Sequence, residues 1–439
     1  VNSMSIGLKL RATSLTARIE ALGGLRALVS LTPAHDLAPH QWQAIESQLS
    51  PVRTELLARL KRGLRQDLAE AHQPAAARRL NALMGQTELD LSRAYGVFDL
   101  YADLLTQRHS PELGLLLAGC DRLAADALHR PHPALEVLQC PLVHCDQGFG
   151  ASIFREGVQV RGLPPNALPL IQIPYSRLNS EKYNLTSVQH EVGHQALTQL
   201  KLLGALGQTL GRAAAGWGAE LSRLFSLWAF EIGPDFWAFG LSGLAQAAGV
   251  RDILALPPTQ VFHVSSYDPH PPPYLRALLG FEWCRQVWGR GPWDAWEQDW
   301  LTLYPLDTAG KAARVLAQGR RALPTVAQAL LDTRFITLDK RPLSVLFDLD
   351  LLAPDRLEQA VGEVAAGRLN LRGLPSGAHL AVFRLIRDQR RLSEDALDRT
   401  MGAWLTRLGQ RRLLHHSGSP GKALTIAPLS TPPELTRRD

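Results

Sequence analysis

The stretch Val188-Gln189-His190-Glu191-Val192-Gly193-His194 holds two histidines four residues apart, with a glutamate directly after the first. On a helix this spacing puts both imidazoles on one face, one turn apart, where they can reach a single metal ion while Glu191 points at a water beside it. The chemistry of H-E-x-x-H zinc hydrolysis asks for these types. Neutral imidazole is a good zinc ligand, three protein ligands leave a fourth position for water, and the ion lowers that water's pKa towards neutrality. A carboxylate beside the water can take its proton and later pass it to a leaving amine. The same letters also suit surface or capping histidines on an ordinary helix, so the surrounding elements decide.

Val188, Val192, Ala196, Leu197 and Leu200 form an apolar stripe at helical period, Asn184-Leu185-Thr186 offers a cap, and Thr186 and Gln189 have capping-box spacing. The motif therefore belongs to a helix. A third ligand is expected downstream, in Trp228-Ala229-Phe230-Glu231-Ile232-Gly233-Pro234-Asp235. A carboxylate set among Trp228, Phe230, Ile232 and Phe236 is costly to bury unless it is paired or bound to metal, which favours Glu231. Glu220 competes for the role without an apolar setting or an acidic neighbour. Asp235, one turn beyond Glu231, could accept the second N–H of a ligating histidine and fix its tautomer.

Upstream, Ala151–Val160 reads as a strand with a turn at Glu156-Gly157, and Leu168–Tyr175 as a second apolar run bounded by prolines. Proline inside a strand argues for an edge position. An edge here could pair with an extended peptide through Leu170–Tyr175, which makes Ile171 and Ile173 substrate-binding candidates. A strand bordering a loop, with no ligand, is the plainer reading.

These residues resemble the gluzincin metallopeptidases, the thermolysin-like group, in which H-E-x-x-H is completed by a glutamate from a following helix and an aspartate four residues beyond it. The matching positions are His190, Glu191, His194, Glu231 and Asp235, and the resemblance covers about residues 151–276. One departure is Pro234, which predicts a break or kink in the turn that should hold Asp235. The resemblance implies Zn2+ as cofactor, a peptide or protein substrate, and a histidine and a tyrosine outside the motif that donate to the oxyanion. His270 is the candidate, with Tyr267, Tyr274 and His263 behind it, in a loop stiffened by Pro271-Pro272-Pro273. Arg276 could hold a substrate carboxylate or brace this loop through Asp268. A rigid surface turn with an Asp-Arg pair is the competing account.

The chain has 439 residues, 46% hydrophobic and 20% charged, enough for two or three domains with a sizeable core. Its net charge of +6 comes mostly from arginines scattered on helices, including runs at Arg384–Arg391 and Arg407–Arg412, without the aromatic interleaving of a nucleic-acid site. Four irregularly spaced cysteines suit buried thiols in a reducing compartment better than disulfides, and Cys140, His144 and Cys145 match no zinc spacing. No secretion signal is visible at Val1-Asn2-Ser3-Met4, and the apolar stretch Phe236–Val250 is too short to cross a bilayer. A cytoplasmic protein is expected, with no nucleic-acid or membrane partner.

The expected fold is mainly α with a small β-sheet (α+β): an N-terminal helical domain over 1–135, a zincin-like catalytic domain over 136–306, a C-terminal helical region over 307–414, and a disordered tail over 415–439. Breaks are expected at Pro33, Pro74 and Pro111. The functional expectation is a zinc-dependent peptidase whose flanking helices restrict access. The alternatives are a non-catalytic helical interaction protein with a structural or vestigial metal site, and a zinc hydrolase of a non-peptide amide.

Overall fold

A computed structural model of the chain describes residues 3–29, 37–148, 150–159 and 162–416. Pro33, His35, Val160 and the expected tail from residue 417 onward lie outside them. The described chain is mainly helical with a small sheet, and none of its helices is long and apolar enough to cross a membrane.

The buried apolar side chains among the described residues fall into two hydrophobic cores. The first gathers Leu15, Ile19, Leu49, Leu56, Leu80, Leu91 and Tyr101 from the helices Ser3–Ala21, Pro39–Asp67 and Pro74–Gln107, with Leu168 and Leu170 at its margin. The second runs from Leu117 to Leu408. Helix Pro111–Leu128 belongs to the second core and packs along the C-terminal helix Glu394–His416. At Gly119 a Cβ would lie 2.3 Å from the Leu405 carbonyl oxygen, so only glycine allows so close a crossing. Nor do residues 307–408 stand apart, since Leu316, Leu323, Val382 and Met401 share the core that holds the motif helix. Pro74 and Pro111 open helices, where the missing N–H costs no bond.

The sheet corrects the strand expectations. β1 (Leu142–Asp146), β2 (Ser152–Phe154) and β3 (Leu170–Pro174) lie in the order β1-β3-β2, with β1 parallel and β2 antiparallel to β3. β3 is central rather than an edge, and Ile171 and Ile173 are fully buried, so neither side chain can meet a substrate. Pro174 is tolerated because it closes the strand. The sheet has two edges: β1, whose Val143 and Cys145 N–H groups are taken by the Asp121 and Gln107 side chains, and β2, after which the chain turns away, with Gly157 at φ +82°. β1 carries His144 and Cys145 into the interior, where burial lowers the imidazole's affinity for a proton. None of Cys120, Cys140, Cys145 and Cys284 forms a disulfide among the described residues.

Candidate metal centre

The motif helix spans Thr186–Gln199 and buries Val188, Val192, Ala196 and Leu197. A short 3-10 turn, Lys182–Asn184, leads into it, and no side chain caps it; the Gln189 amide is buried without a hydrogen-bond partner, so the expected capping box does not form. Against it packs helix Ala219–Ser242, which carries Glu231 and Asp235. Pro234 does not stop this helix. Its ring faces Gly193, where a Cβ would come within 2.8 Å of the Pro234 Cα and 3.0 Å of the Trp237 Cβ. Glycine on one helix and a residue without N–H on the other let the two backbones touch at the level of the motif.

That contact brings the expected ligands together. His190 Nε2 lies 3.3 Å from Glu231 Oε2, His194 Nε2 lies 3.5 Å from Glu231 Oε1, and one ligand atom from each of the three residues falls within 4.8 Å of the others. Nitrogen lone pairs and carboxylate oxygens facing one another at this range repel unless a proton or a cation lies between them. Two imidazoles and one carboxylate are a donor set that suits zinc and leaves a coordination position open. Glu220 sits in the first turn of its helix, half exposed and paired with Arg314.

Asp235 reaches His190 despite the proline. His190 Nδ1 donates to Asp235 Oδ1 at 2.8 Å, which turns Nε2 towards Glu231. The carboxylate is itself held, by Arg276 through Nε to Oδ2 at 2.6 Å and Nη2 to Oδ1 at 2.9 Å, and by Gln246 Nε2 at 3.1 Å. From the protein groups alone, burial disfavours charge on His190, but Asp235 and Glu231 outweigh it and carry the imidazole up to about 10. Burial and the His190 charge lower His194 to about 3. Burial lifts the Glu191 carboxyl to about 7. Burial also opposes the charges of Glu231 and Asp235, yet His190 and Arg276 hold Glu231 down at about 2, and Arg276 and His190 hold Asp235 well below the usual carboxylate range.

The group lines a cleft of about 590 Å³ whose walls include Ser152 and Ile153 of β2, Arg155 just after it, and Leu203, Phe230, Val250, Ile253 and Leu254. His270 also lines it, with Nε2 3.6 Å from Glu231 Oε1. Asp268 accepts from both the His270 backbone N–H and its ring Nδ1, at 2.9 and 2.6 Å, and so aims the imidazole. Asp268 thus serves His270, not Arg276, which turns inward to Asp235.

The two tyrosines fall elsewhere. Tyr267 is 92% exposed at a loop tip, and Tyr274 is buried against Phe262 with its carbonyl accepting from Trp300; neither lines the cleft. The reason is Pro273, which opens helix Pro273–Trp288 instead of extending the loop, so Tyr274 and Arg276 lie on its first turn facing different neighbours. His263 is exposed and also outside the cleft lining. Sequence reasoning missed Gln246, the Ser152–Arg155 edge and the Asp268–His270 pairing; of these only the i, i+2 spacing of Asp268 and His270 was a local signal. No protein-family model, curated protein or solved structure matches the chain.

Proposed function

We propose that the chain is a zinc-dependent peptidase of the gluzincin kind, with a zincin-like core built around the motif helix. The observation that carries this reading is the convergence of His190, His194 and Glu231 within 4.8 Å on the wall of a cleft, with Glu191 and His270 beside them. Zinc, when bound, supplies Lewis acidity towards a carbonyl oxygen and towards water. Everything else is the work of the chain's own groups. Glu191 takes a proton from the attacking water and returns it to the amine nitrogen as the C–N bond breaks. His270, its ring held by Asp268 at Nδ1, donates through Nε2 to the developing oxyanion. Asp235, braced by Arg276, keeps the His190 ring in the tautomer that ligates through Nε2.

The test is Glu191→Gln, read by metal analysis and by peptide cleavage together. Zinc is expected to stay at one ion per chain while kcat/KM falls by about a thousandfold. A variant that cleaves as fast as the wild type is not using this base, and a wild-type protein that binds no metal removes the reading altogether.

A further inference from the structure

Three arginines line the cleft: Arg155, Arg177 and Arg276. Two are matched within the protein, Arg276 by Asp235 and Arg177 by Glu181. Arg155 has no carboxylate within 4 Å among the described residues. The cleft's own acids, Glu191, Glu231 and Asp235, all belong to the metal centre. Arg155 directly follows β2, an edge strand of the sheet, and its Nη1 donates to Thr198 Oγ1 at 2.5 Å. Thr198 donates in turn to the His194 carbonyl, and Gln195 Oε1 accepts from Glu156 N, so the guanidinium is pinned to the last turn of the motif helix. Of its five N–H donors, one is given to Thr198. A chain that entered the cleft along β2 would meet this side chain, which lines the same cleft as His190, His194 and Glu231.

We propose that Arg155 is a specificity-determining residue that recognises a carboxylate of the substrate, held at one fixed position relative to the cleaved bond. Guanidinium suits this task because its planar fork meets a carboxylate through two parallel hydrogen bonds, and because the partly buried setting screens the pair less than bulk water does. The carboxylate can come from an Asp or Glu side chain or from the chain's C-terminus. The proposal rests on the peptidase reading for the words "cleaved bond", but the carboxylate site stands on the cleft geometry alone.

The experiment offers a proteome-derived peptide library, with and without C-terminal amidation, to the zinc-loaded protein and maps the cuts by mass spectrometry. Expected is either Asp or Glu enriched at a single position around the cut, or cuts at a constant distance from a free C-terminus that amidation abolishes. Arg155→Gln should lower kcat/KM for the preferred peptides roughly 10- to 100-fold, Arg155→Lys should restore part of it, and Arg155→Glu should turn a side-chain preference towards Lys and Arg. The melting temperature of each variant is checked against the wild type, because a cation at a helix C-terminus also stabilises by itself. In parallel, library peptides are captured on immobilised zinc-loaded Glu191→Gln protein with and without Arg155→Gln. Acidic peptides captured in an Arg155-dependent way, with no cleavage by the wild type, would sink the peptidase reading and keep this site. No carboxylate preference in either cutting or capture, or a preference that survives Arg155→Gln, overturns it.

Discussion

Two buried charge clusters, one under the sheet and one at the cleft, are built from similar material and finish differently. At the first, Asp121 receives Arg108 Nη1 and Nη2 at 2.8 and 3.0 Å and the Val143 backbone N–H at 2.7 Å, so both carboxylate oxygens meet donors and β1 is fastened to helix Pro111–Leu128. At the second, Asp235 is satisfied in the same manner by Arg276, Gln246 and His190, but the atoms one step further out, His190 Nε2, His194 Nε2 and the Glu231 carboxylate, point at one another. A cluster that closes on itself is architecture. One whose imidazoles and carboxylate converge beside a cleft has the arrangement that a bound cation would need, which is the reading proposed above.

The sharpest way to break this contrast is to damage each cluster and ask what fails. Asp121→Asn leaves Arg108 buried without its counter-charge, and a loss of about 3–5 kcal/mol is expected in denaturant unfolding, with metal content of the folded fraction unchanged. Asp235→Asn should do the reverse: unfolding is affected less, while zinc affinity, measured by chelator competition, falls about 10- to 100-fold. If Asp235→Asn unfolds the protein as severely as Asp121→Asn and leaves zinc affinity intact, the two clusters do the same job and the contrast is lost.

A smaller effect comes from a third, self-paired cluster. Burial opposes the Asp252 charge, but Arg384 and Arg251 hold its carboxyl below the ordinary value. Because the folded-state pKa is the lower one, this group's contribution to stability is present above about pH 4 and is lost as pH falls through the depressed value. Acid titrations of unfolding should therefore show a shallower decline below pH 4 in Asp252→Asn than in the wild type. An unchanged slope would mean that other carboxylates set the acid limit.

How much of this was legible in the sequence follows from the range of each signal. The helices were readable because Leu, Ile and Val recur every three to four residues over long spans, and His190 and His194 because one turn of helix fixes their separation. Glu231 was reachable by a chemical argument: an acid amid Trp228, Phe230 and Phe236 needs a partner. The strands were not readable in order. β2 has three residues and β1 and β3 five each, and whether β3 is central depends on β1, whose Leu-Val-His-Cys-Asp carries no alternation of exposed and buried positions. Placing Tyr274 at the cleft failed because a run of prolines looks the same whether it prolongs a loop or starts a helix. Pro234 misled in the opposite sense: the core on both sides of helix Ala219–Ser242 holds it together across the missing bond.

Under the metal-binding reading, the backbone contact between Gly193 and Pro234 bears on which ions the centre would accept. Because the main chains themselves meet at this level, the spacing of the imidazoles and the carboxylate would be set largely by the backbone. A small tetrahedral cation fits such a fixed gauge, whereas calcium, with its longer bonds and appetite for six or more oxygens, would have to pry two packed helices apart. Size discrimination of this sort would be settled when the chain folds, before any ion arrives.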